Sequence, residues 1–244
     1  NEMILGFQST FEDNTSYSLE LSLDIEDCAG NTIRANGIDI GIPKSAEQGD
    51  LIINEILFNP YSGGSDFIEI KNNTGDLINI GELYLANRRD DNTIGDPEKI
   101  ADFPLTILPN QLIVLTEDKQ NINENYNVVF ENWLYETDLP SYADDEGNVI
   151  LIHKEGTILE EIAYKDDWHH PMLDNDDGVS LERIEANARG NDANNWQSAS
   201  SSFGFATPTG TNSQKRELFE IQEGIWTFPE IFSPDQDGFE DILF

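Results

Sequence analysis

Leu51-Ile52-Ile53-Asn54-Glu55-Ile56-Leu57-Phe58 decides the fold. It is a strand-length apolar run, bounded after Phe58 by the turn-forming pair Asn59-Pro60, and it reads as a β-strand. Gly178-Val179-Ser180-Leu181-Glu182-Arg183-Ile184 has the same character far down the chain. Between these two stretches, further runs of strand length recur at Phe67–Ile70, Leu77–Leu85, Leu112–Thr116, Val149–His153 and Ile158–Tyr164. The separators carry turn chemistry: Gly63-Gly64, Asn72-Asn73-Thr74-Gly75, Pro109-Asn110, Glu146-Gly147-Asn148 and Glu155-Gly156. That spacing predicts an all-β sandwich or barrel. One helix interrupts it, over Glu117 to Tyr126, with Thr116 as its cap and Ile122 and Tyr126 on one face.

The opening run, the closing Gly178–Ile184 run, Asn195-Trp196 and Ala206-Thr207-Pro208 together resemble the first and last strands of the lamin-tail domain. The acidic turn Leu139 to Gly147 is similar to a stretch of bacterial lamin-tail modules. Near Thr207-Pro208-Thr209-Gly210 the family usually has Thr-Pro-Gly, and here a threonine intervenes. The resemblance implies an immunoglobulin-like β-sandwich of lamin-tail type, carried by secreted and surface proteins of bacteria, and a module in place of a catalyst. Its expected span is 47–213.

Outside that span the signals are partial. Tyr17, Leu19, Leu21, Leu23 and Ile25 alternate with Ser18, Glu20, Ser22 and Asp24, as in a half-buried antiparallel strand. A turn at Asp27-Cys28-Ala29-Gly30-Asn31 leads to a second series at Ile33, Ile38, Ile40 and Ile42. This turn looks like the late hairpin of bacterial immunoglobulin-like repeats, so 1–46 is expected to be the end of such a β domain. The segment 214–244 reads as a linker and the first strand of a carboxy-terminal β domain. Its Phe232-Ser233-Pro234-Asp235-Gln236-Asp237-Gly238 resembles the opening of domains on gliding-motility and type IX-secreted proteins of Bacteroidota. The two outer pieces are expected to pair with each other, because strand edges need partners. The chain is expected to be an excised piece of a longer exported protein, with its signal elsewhere and its place at the cell surface or outside the cell.

Charge narrows the partners. Against 48 Asp and Glu stand 13 Lys and Arg, for a net charge of −35, a field that repels phosphate backbones and anionic lipid. No nucleic acid and no direct membrane insertion are expected. The expected partners are neighbouring domains of the same chain, another surface protein, or a glycan. One cysteine, Cys28, allows neither an internal disulfide nor a thiolate zinc cage.

Two groups could hold a metal. Asp166, His169 and His170 lie in the densest cluster of ligand types, of a chemistry that suits zinc. Adjacent side chains on an extended chain diverge, however, so packing or turn-making is the expected role of the two histidines. Ser233 to Phe244 can be laid on a calcium loop, but Phe244 falls where a bidentate Glu is required. That rules out an EF-hand and leaves a looser calcium cage of Asp235, Asp237 and Asp241. His153 reads as an ordinary sheet residue. Glu55 and Glu69, as polar strand residues, are expected to face water, and Asn54, Glu55, Glu182 and Arg183 to make polar contacts on a sheet face. There is no Gly-x-Ser-x-Gly elbow, phosphate loop or His-Glu-x-x-His, so no catalytic residue is assigned. A calcium-dependent glycan- or protein-binding module and an accessory domain of a secreted hydrolase are the alternative expectations.

Overall fold

The computed structural model describes residues 10–12, 15–19 and 38–215. The chain forms β1 (Ser16–Leu19), β2 (Ile38–Gly41), β3 (Lys44–Ser45), β4 (Leu51–Leu57), β5 (Phe67–Asn72), β6 (Ile78–Asn79) and β7 (Leu83–Ala86). It continues through β8 (Glu98–Lys99), β9 (Thr106–Ile107), β10 (Leu112–Thr116), α1 (Lys119–Asn125), β11 (Leu134–Glu136), β12 (Glu146–His153) and β13 (Ile158–Lys165). The last strands among the described residues are β14 (Leu181–Arg183) and β15 (Trp196–Ser198). A six-stranded sheet runs β11-β10-β5-β4-β14-β15 and a four-stranded sheet β13-β12-β7-β8. The small sheets are β3-β6-β9 and the antiparallel pair β1-β2.

The sandwich core lies between the two larger sheets. Ile53, Ile56, Ile68, Ile70 and Leu115 of one meet Leu83, Leu85, Val149, Leu151 and Ile162 of the other. Phe58 and Tyr164 stack across the gap with ring centroids 4.4 Å apart. Each such side chain, when fully buried, contributes about 1.5–3 kcal/mol.

The six-stranded sheet is also covered on its outer face. There Leu57, Phe67, Val114 and Leu134 pack against Ile122 and Tyr126 of the helical segment and against Ala206. Burial on both faces explains why every residue of β4 is buried and why its sequence runs apolar without strict alternation.

A β-bulge sits in β4 between Ile53 and Glu55. Asn54 is the extra residue, so Ile53 and Ile56 both keep their places in the sandwich core while Asn54 and Glu55 turn to the outer face. The expected run Leu77–Leu85 is two strands, broken by a turn in which the Leu83 amide donates to the Ile80 carbonyl at 3.1 Å. Gly81 fits that bend because a Cβ there would collide with the Phe103 carbonyl. The helix is capped by Asp118, whose side chain accepts from the Asn121 amide at 2.9 Å. Thr116, the expected cap, instead donates its hydroxyl to the Asp66 carbonyl at 2.7 Å. Lys44 and Ser45 pair in parallel with Ile78 and Asn79. The continuation of the first strand to Ile25, the turn at Cys28, and the segment from 216 with its pairing to the amino-terminal strands lie outside the described residues. No helix among the described residues is long and apolar enough to cross a membrane.

Candidate functional site

The outer face of the six-stranded sheet carries a row of three carboxyl groups. Glu182 of β14 stands opposite Glu55 of β4, which stands opposite Glu69 of β5. All three are fully buried, contrary to the expectation that Glu55 and Glu69 face water. Like charges directly opposite one another in a sheet repel, and burial penalises each charge further. A compensating layer is therefore required, and the segment 205–214 supplies it.

This segment crosses the row as a strap. The Thr207 amide donates to Glu55 Oε1 at 2.8 Å and the Thr209 amide to Glu69 Oε2 at 2.7 Å. Pro208 lies between them and has no N–H to leave unpaired. The Gln214 amide and Ser213 hydroxyl donate to Glu182 Oε2 at 2.9 and 2.8 Å. From the sheet itself, Ser180 Oγ donates to Glu55 Oε1 at 2.5 Å and Asn54 Nδ2 to Glu69 Oε1 at 2.7 Å. Asn212 ties the strap to two strands by donating to the carbonyls of Asn54 and Arg183, both at 2.9 Å. The intervening Thr209 has a left-handed backbone with φ of 62°, and its hydroxyl accepts the amides of Val129 and Phe130 at 3.0 and 2.9 Å.

Thr207 Oγ1 lies 2.6 Å from Glu182 Oε1 and 3.2 Å from Glu55 Oε2. A hydroxyl has one proton and cannot donate to both. The arrangement is satisfied when Glu55 is protonated and donates to Thr207 Oγ1, which in turn donates to Glu182 Oε1. Burial, and then the charge of Glu182, push the Glu55 carboxyl up to about 8, so it keeps its proton at neutral pH. Glu69 is likewise held well above the usual carboxylate range, by burial first and Glu55 second.

On the inner face Arg183 joins the two large sheets. Its Nη1 donates to Glu160 Oε1 of β13 at 2.7 Å and to the Ile53 carbonyl at 3.2 Å, while the Ile53 amide donates to Glu160 Oε2 at 2.5 Å. β14 pairs with β4 only at Ile56 and Glu55, so the ion pair takes the place of a strand partner for Ile53. Ser180, Glu182 and Arg183 are thus fully engaged in holding the sandwich closed.

Two Ser–His contacts invite a catalytic reading. Ser45 Oγ is 2.9 Å from His153 Nε2 and 3.1 Å from Glu82 Oε2. His153 Nδ1 accepts the Glu155 amide at 3.4 Å, which places the ring proton on Nε2 and sends the serine proton to Glu82. A nucleophile needs the reverse, with the histidine as acceptor and the acid on the far nitrogen. His169 Nδ1 is 2.9 Å from Ser198 Oγ, and that oxygen also accepts the His170 amide at 2.8 Å. His169 is buried beside Phe58, and its burial lowers the imidazole's affinity for a proton.

Asp166, His169 and His170 therefore share one turn but not one centre. His169 faces inward, while His170 is exposed and its Nδ1 accepts the Met172 amide at 3.2 Å. Among the described residues no three His, Cys, Asp or Glu side chains are placed to hold a metal ion. Asp235, Asp237 and Asp241 lie outside the described residues. A pocket of about 340 Å3 holds Asp66, Glu117 and Tyr142. Burial, followed by Asp144 and Glu117, pushes the Asp66 carboxyl up to about 7.

Sequence reasoning missed the buried acid row because a charged residue in a strand ordinarily faces water. The usable signal was a strap rich in Thr, Asn and Ser, downstream of three strands that each carry one central glutamate.

No curated protein matches the chain. The family model for the lamin tail domain matches residues 44–166, half of the chain. It covers the strands from β3 to β13, while β14 and β15 complete the same six-stranded sheet beyond it. The fold is the immunoglobulin-like β-sandwich of a family that is not one of enzymes, and the chain belongs to the lamin tail domain family.

Proposed function

We propose that the chain is a non-catalytic module that spaces or docks neighbouring domains of a secreted or cell-surface bacterial protein. The observation that carries this reading is the consumption of its reactive-looking groups: Glu55, Glu69, Glu182 and Arg183 are all spent on closing the sandwich. Export and a surface location are supported by the resemblance of 232–238 to type IX and gliding-motility domains, and by an acidic surface that disfavours nucleic acid. Exposed Val129, Phe130 and Phe203 supply apolar area of the kind neighbours dock on.

The test is an assay of the purified chain on ester, peptide and phosphodiester substrates. No turnover is expected. Turnover abolished by His153→Ala, or by Glu55→Gln in a folded variant, would overturn the reading. The calcium-dependent alternative rests on Asp235, Asp237 and Asp241. A rise in melting temperature with calcium, lost in Asp235→Asn, would favour it.

A further inference from the structure

A cleft of about 510 Å3 opens on the outer face beside the strap, lined by Lys71, Arg183 and Lys215, with Glu185 as the only acidic lining residue among those described. In a chain with 48 acidic and 13 basic residues, two lysines at one cleft, with Arg183 close behind them, is a local reversal of charge. Arg183 is engaged with Glu160 and the backbone. Neither the Lys71 nor the Lys215 ammonium meets a carboxylate within ion-pair distance among the described residues, which is true also of Lys119 on the helix, whereas Lys44, Lys99, Lys154 and Lys165 do. Lys71 is half-buried, and its charge is disfavoured first by that burial and then by Lys215 and Arg183, against a smaller favourable pull from Glu69. An anion entering here would relieve that repulsion.

The rest of the lining says what the anion is attached to. Asn73 Nδ2 donates to Asn187 Oδ1 at 3.0 Å, which leaves the Asn73 carbonyl oxygen as an acceptor and the Asn187 amide nitrogen as a donor. A donor and an acceptor side by side match neighbouring hydroxyl groups. Leu112 and Ile184 supply apolar wall against which the C–H face of a ring can lie. A long polyanion is disfavoured, because the remaining surface of this −35 chain repels it.

We propose that this cleft binds a carboxylate flanked by hydroxyl groups, the pattern of a uronic acid residue, with Lys71 and Lys215 on the carboxylate and Asn73 and Asn187 on the hydroxyls.

Calorimetric titration of the folded chain at low salt with glucuronate, glucose and a tetraglutamate peptide tests this. Glucuronate is expected to bind, glucose to bind at least about tenfold more weakly, and Lys71→Gln to lose about tenfold in affinity, the scale of one charge-assisted contact. Lys215→Gln, on the segment that follows the strap, gives a second variant if Lys71→Gln does not fold. Equal binding of glucose and glucuronate, unchanged affinity in both variants, or no binding of glucuronate overturns the proposal. Tighter binding of tetraglutamate than of glucuronate overturns it in favour of an acidic peptide.

Discussion

Glu55 and Thr207, 152 residues apart in the chain, are joined at both ends of the carboxyl group: the threonine amide reaches Oε1 at 2.8 Å and the threonine hydroxyl lies 3.2 Å from Oε2. The same hydroxyl reaches Glu182 at 2.6 Å. One side chain of the strap thus links the opening strand of the sandwich to its closing strand.

Thr207→Val keeps the shape and amide of the residue and removes the hydroxyl. Two buried carboxyl groups then lose a partner, and a cost of about 1–3 kcal/mol in unfolding free energy is expected. Urea denaturation measures it. Thr207→Ser, which keeps the hydroxyl, is expected to recover most of the loss.

The proton on Glu55 sets a pH dependence. Its carboxyl is pushed up from 4.5 to about 8 in the fold, so between those values the folded chain holds a proton that the unfolded chain has released. Stability from this group is present in full below pH 4.5 and is lost as pH rises through 8. Glu55→Gln keeps an uncharged group of the same shape and is expected to flatten the decline. General charge repulsion in this acidic chain also grows with pH, so the informative quantity is the difference between wild type and variant in melting temperature from pH 5 to 9.

The strands that frame this acid row were legible in the sequence, and the row itself was not. Leu51–Leu57, Phe67–Asn72, Leu112–Thr116 and Ile158–Lys165 follow their apolar runs, because burial on one or both faces leaves a pattern that survives without knowledge of tertiary contacts. β8, β9, β11 and β15 have two or three residues each, too few to show a period. Of the aromatic residues in the polar stretch after β14, Trp196 is buried at 2% exposure whereas Phe203 stands 51% exposed, a difference that their shared apolar character does not reveal. Nothing local distinguishes a buried Glu69 from a solvated one. The distinction is made by Thr209, 140 residues away.

Arg183→Met leaves Glu160 and the Ile53 backbone without their buried partner, at an expected cost of about 3–5 kcal/mol. Pairing it with Glu160→Met is expected to cost less than the sum of the single changes, since the uncompensated charge is gone. A double-mutant cycle in urea reads the coupling.

Gly178 precedes the closing strand with φ of 74°, and a Cβ there would collide with the Tyr61 ring. Its carbonyl accepts the Tyr126 hydroxyl at 3.2 Å. Gly178→Ala is expected to destabilise by more than about 1 kcal/mol through strain at the left-handed backbone plus displacement of the ring. Gly75→Ala, where a Cβ meets nothing, serves as the control in the same melting experiment.

The central claim is that the buried acid row is a structural clasp holding a proton at neutral pH. Carbon-13 NMR of the Glu55 side-chain carboxyl across a pH titration tests it most directly. The clasp predicts a protonated carboxyl at pH 7 with a midpoint near 8. A midpoint in the ordinary carboxylate range, with Glu55 ionised at pH 7, would contradict it.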